Sequence, residues 1–438
     1  MKRYEKYKPT GIQWLPEIPE HWNIESFGKH FSFGKGLPIT KADLTKEGIA
    51  VISYGQVHSK LNLGVTLSDS LIRYVSNRWL DTNPQNLLRK CDFVFADTSE
   101  DIAGAGNCAF NDYSKPLFAG YHIVIARPTM VENSHYWAYL FQSNCWKSQV
   151  QSLVNGVKVY SINKSILKKT AILIPSIAEQ EKIVAYLDKR ITLIDNCKCQ
   201  RERELQTLNE LKQAEIASVV TRGLNPDVPM KDSGIPWIGQ IPAHWNMIRI
   251  KNLLVESKVK STDGHEQSLS LSKASGIIPY EEKENRTMQS ESLIGAKVVH
   301  PGDVVFNRFK ARLFAISTHN GVVSSDYAVY KGKGRANLNY LVSLFSTEMY
   351  RAAFDRKASG IGDGFSRLYT ADLFAMYAIF PPIEEQNAIV EYIESKTNKI
   401  DTMIEALKAE IDRLTEYKQR LISDVVTGQI DVRGEQIQ

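Results

Sequence analysis

Two stretches of this sequence, "IPSIAEQEKIVAYLDKRITLID" at residues 174–195 and "FPPIEEQNAIVEYIESKTNKID" at residues 380–401, match at an interval of 206 residues. The residues that recur are Pro175, Glu179, Gln180, Ile183, Val184, Tyr186 and Asp195 in the first copy, and Pro381, Glu385, Gln386, Ile389, Val390, Tyr392 and Asp401 in the second. A match of this length indicates an internal duplication, which constrains every later inference about the fold.

Each stretch begins a long helix. Ser176 is a candidate N-cap for the first, with Glu179 as its capping-box partner, and no Pro or Gly follows until after Arg222. Pro381 and Pro382 open the second helix and Gly428 closes it. The sequence therefore predicts helices over 176–222 and 381–427, each about 65 Å long, and helices of that length need a partner along their length.

An apolar seam with heptad spacing predicts that the two helices pair as a coiled coil. Its positions in the second copy are Thr397, Ile400, Ile404, Leu407, Ile411, Leu414, Lys418, Leu421 and Val425. The equivalent positions in the first copy are Ile191, Ile194, Lys198, Arg201, Leu205, Leu208, Lys212, Glu215 and Val219. Lys198 and Arg201 form either a register-setting polar layer or a face that extends toward acidic residues such as Glu405 and Glu410; the second interpretation is favoured.

A second duplication precedes each globular part, as "GIQWLPEIPEHWN" at 11–23 and "GIPWIGQIPAHWN" at 234–246. The linker "GLNPDVPMKDSG" at 223–234 resembles the two chain ends. The order of segments is therefore that of a circular arrangement of two repeats, with the termini placed inside one of its two linkers. This predicts that the termini lie together and that the long helices run antiparallel. The predicted division is a first globular domain at 1–175, a helix at 176–222, a linker at 223–233, a second globular domain at 234–380, a helix at 381–427 and a tail at 428–438.

Composition excludes several classes of protein. At 438 residues two domains are expected, and 43% hydrophobic and 24% charged residues are ordinary for soluble globular proteins. No apolar run approaches the roughly 20 residues of a membrane span, and no secretory signal is readable. Five cysteines without a CxxC pair indicate free thiols in a reducing compartment, so we expect a cytoplasmic protein without a metal site and without membrane partners.

Charge is distributed in alternating blocks. Residues 1–175 carry 20 Lys and Arg against 14 Asp and Glu, and residues 232–380 carry 18 against 14. The helices and tail are acidic, which leaves the net charge at +5. Basic globular domains are a mild indication of a polyanionic partner, although solvated surface charge explains the pattern about as well.

The duplicated order of entry segment, variable domain, "PPIEEQNAIVEYI" helix and "NPDVPMKDSG" linker resembles the specificity subunit of type I restriction-modification enzymes over essentially the whole chain. The resemblance implies an α+β fold: two mixed α/β target-recognition domains separated by two long antiparallel helices, with an internal pseudo-twofold repeat. It also implies a non-catalytic chain that binds an asymmetric bipartite site on double-stranded DNA, with one domain on each half-site.

The implied partners are two modification (methyltransferase) subunits and two ATP-dependent restriction subunits. No cofactor is expected in this chain, since S-adenosylmethionine, ATP and Mg would bind to those partners. Two stiff helices would act as a ruler between half-sites about one helical turn of DNA, roughly 34 Å, or a multiple of it apart.

The repeated aromatic and acidic residues are better explained by architecture than by chemistry. Trp14, His21 and Trp22, with their copies Trp237, His244 and Trp245, could stack on bases, but residues that read different half-sites should differ between the halves. We therefore expect them to pack beneath each domain. The Glu-Gln pairs at 179–180 and 385–386 are expected to cap helices or contact modification subunits rather than to act as catalytic carboxylates.

DNA contacts are expected from loops of the variable domains, because Arg suits guanine, Asn suits adenine, and Lys or glycine-rich backbone suits phosphate. The candidates in the first domain are Lys35, Thr98, Ser99, Asn107, Lys158, Tyr160, Asn163 and Lys164. The candidates in the second domain are Asn307, Arg308, Lys310, Arg312, Lys331, Lys333, Arg335, Ser359, Gly360, Ser366, Arg367 and Tyr369.

Enzyme motifs are missing from the sequence. It contains neither the Asn/Asp-Pro-Pro-Tyr/Phe motif of adenine methyltransferases nor a Walker A loop, and "AGAGN" at 103–107 lacks a strand-and-helix context for nucleotide binding. The alternative to DNA recognition is a scaffold of two modules on a coiled coil that joins proteins. A steep loss of duplex affinity with salt would distinguish the two.

Overall fold

The computed structural model describes residues 2–129, 133–154, 156, 159–272, 275–283, 292–309, 312–360 and 366–435. The chain forms two compact units. Unit 1 is Met1–Arg201 with Ala409–Gln438, and unit 2 is Glu202–Lys408. Each unit therefore contains one globular domain and part of each long helix.

The described residues of the first globular domain form fourteen strands and six short α-helices. The strands are β1 (Tyr7–Ile12), β2 (Leu15–Pro19), β3 (Asn23–Ser26), β4 (Phe31–Lys35), β5 (Leu44–Thr45), β6 (Ile49–Ile52), β7 (Arg73–Val75), β8 (Phe93–Ala96), β9 (Thr98–Ser99), β10 (Cys108–Phe110), β11 (Leu117–Ala119), β12 (Ile123–Pro128), β13 (Tyr160–Ser161) and β14 (Ala171–Ile174). The helices are α1 (Phe27–His30), α2 (Tyr54–Val57), α3 (Arg78–Thr82), α4 (Ser134–Gln142), α5 (Asn144–Leu153) and α6 (Lys164–Lys169), followed by the long helix α7 (Ile177–Arg222).

The second globular domain repeats much of this order. Its strands are β15 (Met230–Asp232), β16 (Gln240–Pro242), β17 (Asn246–Arg249), β18 (Leu254–Glu256), β19 (Leu269–Ser272), β20 (Gly276–Pro279), β21 (Lys297–Val299), β22 (Val304–Asn307), β23 (Phe314–Ile316), β24 (Gly321–Val323), β25 (Tyr327–Gly332), β26 (Ser359–Gly360), β27 (Ser366–Arg367) and β28 (Tyr377–Phe380). Its helices are α8 (Leu338–Phe345), α9 (Glu348–Lys357) and α10 (Thr370–Ala375), followed by the long helix α11 (Ile383–Val426).

The central sheets of the two domains have the same topology. Both are antiparallel and four-stranded, in the order β10-β8-β12-β4 in unit 1 and β23-β22-β25-β18 in unit 2. The entry hairpin also recurs, because β1 pairs with β2 and β15 pairs with β16. The domains differ in their second sheets: unit 1 has the four-stranded sheet β11-β6-β7-β5, whereas the described residues of unit 2 form the two-stranded sheets β19-β20 and β21-β24. The predicted α+β fold with an internal repeat is confirmed.

Each central sheet buries one face against helices of its own unit. In unit 1 an aromatic cluster that includes Phe95, Phe141 and Trp146 continues into Ile183 of α7 and Val425 of α11. In unit 2 the equivalent core continues into Val220 of α7 and Ile389 of α11. Both ends of both long helices are thus anchored by apolar burial, the dominant favourable term in folding.

The two long helices are confirmed, with bounds within two residues of those predicted. Within unit 1, Asp195 accepts hydrogen bonds from Lys418 Nζ at 2.7 and 2.8 Å. Within unit 2, Lys212 Nζ donates to both oxygens of Asp401 at 2.6 Å. Pairing of early α7 with late α11, and of late α7 with early α11, makes the helix segments antiparallel.

The seam predicted from heptad spacing is also confirmed, since all its positions are buried or half-buried. Arg201 Nε lies 3.0 Å from Glu410 Oε1, as expected for a basic side chain that extends to an acidic partner. The first-copy seam is polar at this point because its cation is paired rather than packed.

The chain ends meet in unit 1, as the circular repeat predicts. The backbone N–H of Asp431 donates to the Lys2 carbonyl at 2.9 Å, and Gln429 Nε2 donates to the Glu17 carbonyl at 3.0 Å. Gly428 ends α11 with a φ of +72°, and a Cβ at this position would lie 2.4 Å from Pro19 Cδ. The helix therefore stops at the residue that only glycine can occupy without strain. Among the described residues, no helix is both long enough and apolar enough to cross a membrane.

Candidate nucleic-acid interface

A buried glutamine joins each long helix to its domain. Gln386 Nε2 donates to the Pro381 carbonyl at 2.8 Å, and Gln386 Oε1 accepts from the Asn337 N–H at 2.9 Å. Gln180 makes the same two contacts, with the Pro175 carbonyl at 3.1 Å and the Asn133 N–H at 3.2 Å. Both amides are fully buried, so these repeated glutamines are architectural.

The glutamate before each glutamine binds the entry segment. Glu385 accepts from His244 Nε2 at 2.6 Å and from Trp245 Nε1 at 2.8 Å. Glu179 accepts from His21 Nε2 at 3.0 Å and from the Tyr4 hydroxyl at 2.6 Å. The carboxylates thus make tertiary contacts, and the capping box expected between Glu179 and Ser176 is replaced by them.

The repeated tryptophans pack as expected. Trp22 and Trp245 are fully buried in the cores of their units, and Trp237 meets the Tyr350 ring edge-on at 5.0 Å. Trp14 is the exception, because it remains partly exposed.

At a further repeated contact the Tyr136 hydroxyl donates to the Val426 carbonyl at 3.2 Å, and the Tyr340 hydroxyl donates to the Val220 carbonyl at 2.9 Å. Repeated residues therefore concentrate where each domain meets the long helices.

A different edge of each domain carries residues that do not repeat. It lies where β8 ends in unit 1 and where β22 ends in unit 2. At both edges a later segment of the same domain makes an equivalent backbone hydrogen bond. The Ile162 N–H donates to the Asp97 carbonyl at 2.8 Å, and the Leu368 N–H donates to the Arg308 carbonyl at 3.0 Å. We call these two places the reading edges. The described parts of the predicted loops meet there: Tyr160–Ser161 pairs with Thr98–Ser99 in unit 1, and Leu368 bonds to Arg308 in unit 2.

The reading edge of unit 1 borders a cavity of about 720 Å³. Its lining includes Tyr54, His58, Thr98, Ser99, Asp101, Asn107 and His122. Thr98 and Tyr160 are half-buried here, whereas Ser99 is buried and donates to the Asp101 carbonyl at 2.7 Å. Of the predicted residues at this edge, Thr98, Asn107 and Tyr160 are the accessible ones.

Asn107 is held by neighbours that the sequence did not reveal. Lys147 Nζ donates to Asn107 Oδ1 at 3.2 Å, and Asn107 Nδ2 lies 3.2 Å from His58 Nδ1. His58 Nε2 lies 2.8 Å from the Thr98 carbonyl, so Nε2 carries the proton and Nδ1 accepts. Burial lowers the pKa of Lys147. These contacts orient the Asn107 amide, and each end keeps the capacity for a further hydrogen bond.

Two arginines predicted to contact bases are instead buried in unit 2. Arg312 is 3% exposed and donates to the Asp355 carboxylate, to the Arg308 carbonyl at 3.2 Å and to Ser366 Oγ at 2.7 Å. Arg308 is 9% exposed and donates to the Glu256 carboxylate. A buried guanidinium requires such partners, so these side chains hold the edge together rather than face outward.

The accessible part of the unit 2 reading edge consists of Asn307, Arg367 and Tyr369. The Arg367 guanidinium lies 5.5 Å from both the Phe309 and Tyr369 ring centroids, and Tyr369 is exposed. Asn307 lines a cavity of about 510 Å³ together with Phe309, Lys283 and Tyr327. Arginine stacked beside an exposed aromatic ring is suited to a nucleic acid, as the cation meets phosphate and the ring meets a base.

The basic run at 331–335 does not join this edge. Asn307 pairs with Tyr327 at one end of β25, whereas Lys331 pairs with Val255 at the other end. Lys333 Nζ donates to the Lys251 carbonyl at 2.7 Å. Lys331, Lys333 and Arg335 are exposed, so they form a separate basic surface.

Of the remaining predicted residues, Ser359 and Gly360 pair with Arg367 and Ser366 beside the unit 2 reading edge. Asn163 caps α6 by accepting from the Ser165 and Ile166 N–H groups, and Lys164 begins that helix. Lys35 is exposed at the end of β4, and Ser359 and Gly360 are exposed in β26. Lys158 and Lys310 lie outside the described residues.

Sequence reasoning missed Lys297 and Glu256, which complete the charge at the unit 2 edge. Lys297 Nζ lies 3.5 Å from Glu256 Oε1, the oxygen that also accepts from Arg308. Burial, followed by the nearby Arg308 charge, lowers the pKa of Lys297. Two cations, Lys297 and Arg308, thus share one carboxylate. Only tertiary structure could reveal this cluster, because its members are far apart in sequence.

Comparison with known proteins gives concordant matches. The family of type I restriction modification DNA specificity domains matches residues 20–207. A Methanocaldococcus jannaschii protein provisionally named type I restriction enzyme MjaX specificity subunit is 23% identical over 98% of this chain and 97% of its own length. The StySPI specificity subunit of Salmonella potsdam is 21% identical over 79% of this chain and 78% of its own.

A solved chain, from work on complex assembly and conformational transition of the type I R-M system, has a TM-score of 0.66 at 15% identity. It covers 94% of this chain and 99% of that one, so the two share a fold. The duplicated topology and the paired long helices agree with these matches. Over nearly its full length the chain is similar to type I restriction enzyme specificity subunits, and residues 20–207 match the family of type I restriction modification DNA specificity domains.

Proposed function

We propose that this chain recognises a DNA sequence for a type I restriction-modification complex, with each unit reading one half of a bipartite duplex site. The family and the names of the relatives support DNA recognition over the protein scaffold considered as the alternative. The chain would direct partner enzymes and itself catalyse no reaction.

One observation carries the proposal: the residues that repeat and those that differ occupy different places. The glutamine bridges, the glutamate–histidine pairs and the tyrosine contacts recur at the junctions with the long helices. At the reading edges, Asp97 occupies the place of Arg308, although the backbone hydrogen bond there is the same. A shared frame with unlike edges is what recognition of two unlike half-sites requires.

The electrostatics of the two edges support an asymmetric target. The unit 1 edge carries Asp97, Asp101 and two histidines, whereas the unit 2 edge carries Arg367 beside the rings of Phe309 and Tyr369. Carboxylates accept from the cytosine amino group, and arginine donates to guanine. The two half-sites should therefore differ in base composition, where a true twofold dimer would read a palindrome.

The assembly follows from the family as a proposal. Two modification subunits and two restriction subunits would bind this chain, and S-adenosylmethionine, ATP and Mg would be held by those partners. Adenine methylation needs the base flipped out of the stack, so the reading edges would also set which nucleotide the modification subunit receives.

The test is duplex binding by the full chain, with its modification subunits, as a function of salt concentration. Affinity should fall steeply with salt, because phosphate neutralisation releases counterions. Arg367→Gln and Tyr369→Ala should each weaken binding by about 1–3 kcal/mol. The matched control is Lys331→Gln, which removes a charge at the opposite end of β25 and should leave sequence preference unchanged.

The proposal fails for the unit 2 edge if the Lys331 variant changes sequence preference while the Arg367 and Tyr369 variants do not. Affinity that is independent of salt would favour the protein scaffold instead.

A further inference from the structure

A tyrosine from the chain's own N-terminus fills a socket in unit 1. The Tyr4 hydroxyl donates to Glu179 Oε1, and the ring lies 5.8 Å from His21 and 5.9 Å from Trp22 between centroids. Arg433 covers the outer face of the ring at 4.7 Å. Tyr4 is 5% exposed, and the side chain of Glu179 is 4% exposed.

The equivalent place in unit 2 is an open cavity of about 250 Å³. His244, Glu385 and Ile389, which line it, are the repeat counterparts of His21, Glu179 and Ile183. The side chain of Glu385 is 39% exposed, in contrast to the covered Glu179. We call this cavity the unit 2 socket.

The difference arises from chain length at the two junctions. Unit 1 has residues 429–435 and 2–6 between the end of its helix and its entry hairpin, and these supply Arg433 and Tyr4. Unit 2 has only residues 224–229 between Gly223 and β15. The counterpart of Tyr4 at the interval of 223 is Asp227, which is exposed. Among the described residues of unit 2, the socket lining therefore includes no tyrosine, phenylalanine or tryptophan ring.

The chemistry of the unit 2 socket matches a phenol. Leu224, Val228 and Ile389 provide apolar walls, and the Glu385 carboxylate lies at one side. Each Glu385 oxygen holds one donor, from His244 or Trp245, and a carboxylate oxygen has a second lone pair to accept from another. Burial raises the pKa of Tyr4, so in unit 1 the phenol stays protonated and donates. The cavity is smaller than the roughly 300–1,000 Å³ typical of small-molecule sites, a size suited to one large side chain.

We propose that the unit 2 socket binds a tyrosine side chain presented by the modification subunit, and that the corresponding socket in unit 1 is occupied by Tyr4. This rests on the proposed function, which supplies the partner. The two ends of the pseudo-symmetric frame would therefore bind modification subunits differently. An aromatic anchor in a pocket is a common source of interface energy.

The first test titrates the modification subunit of the same system onto the full chain. Ala388, an exposed residue that lines the socket, is replaced in Ala388→Trp to fill it. We expect one of the two binding events to weaken at least tenfold while the other is unchanged. The matched control is Lys182→Trp, at the repeat position of unit 1, where Lys182 Nζ meets the Arg433 carbonyl and the socket is already occupied. It should change neither binding event.

Equal effects of the two variants, or no effect of Ala388→Trp, would overturn the proposal. A change in self-association of Ala388→Trp, seen by sedimentation, would assign the socket to a second copy of this chain and would also overturn it. The socket lies outside the reading edges, so Ala388→Trp should keep its salt-dependent binding to DNA. Loss of the socket proposal can therefore be distinguished from failure of the proposed function.

A second test needs no partner. The probe is p-cresol, which corresponds to the side chain of tyrosine. Its binding to the full chain is measured by ligand-observed NMR, and toluene is the comparison. We expect p-cresol to bind more tightly than toluene, and the preference to disappear in Ala388→Trp. Equal binding of both probes, or binding that Ala388→Trp leaves intact, would contradict the assignment.

Discussion

At the scale of single residues, the Gln386 amide makes two hydrogen bonds at the junction of unit 2. Gln386→Ala would leave the Asn337 N–H and the Pro381 carbonyl buried without partners. Each unsatisfied group costs about 1–3 kcal/mol, so we expect a destabilisation of about 2–4 kcal/mol, measured as the unfolding of unit 2 by calorimetry.

Asn387→Ala on the exposed neighbouring position is a suitable control, since Asn387 makes only a side-chain contact with Asn337 Nδ2. A cost for Gln386→Ala no larger than that of this control would show that the bridge contributes little.

Single residues also show where sequence reasoning stops. The buried packing of Trp22 and Trp245 could be predicted because these residues recur in both halves, whereas the tertiary contacts of Glu179 and Glu385 could not. The roles of Arg308 and Arg312 could not, because their partners Glu256 and Asp355 lie 52 and 43 residues away. An arginine in a variable loop looks the same in sequence whether it faces DNA or a buried carboxylate.

At the scale of secondary-structure elements, two ion pairs fix the alignment of the long helices. In unit 1, Asp195→Lys would place two cations together at Lys418, with an expected cost of about 1 kcal/mol because the pair is partly exposed. Adding Lys418→Asp in the same chain should recover most of the lost stability, measured as the thermal midpoint.

Asp412→Lys, on an exposed face of α11, serves as the control for charge reversal alone. If the double variant were no more stable than Asp195→Lys alone, the pairing of these helix segments would have to be reconsidered.

The elements themselves were largely predictable, for a physical reason. A helix of more than forty residues carries its own signals, namely heptad spacing, opening prolines and closing glycines, and all of them are local. The small sheets of the domains depend on pairing between strands that are distant in sequence, such as β8 and β12. The sequence of neither strand identifies its partner. The DNA contacts of the predicted loops therefore stay predictions, and the structure shows which of their described members are accessible.

At the scale of the whole molecule, the meeting of the termini predicts that the chain can be re-cut. A circular permutant would join residue 435 to residue 2 through a short flexible linker and open the chain between Pro226 and Asp227, which are both exposed. Because the unit 1 junction already holds both ends together, we expect the permutant to fold with a thermal midpoint within a few degrees of the parent and to recognise the same DNA.

A permutant that folds but recognises a different sequence would show that the position of the break matters to recognition. One that fails to fold would show that the 224–229 linker, unlike the paired termini, must be continuous.

The central claim is that one chain carries two unlike reading edges on a duplicated frame. The most direct measurement is single-molecule methylome sequencing of cells that carry this chain with its modification subunit, against cells that lack only this chain. The account predicts a new adenine-methylation motif with two different half-sites separated by a fixed gap. In the same experiment Arg367→Gln should alter one half-site and leave the other intact. A palindromic motif, or no new motif despite an active modification subunit, would contradict the account.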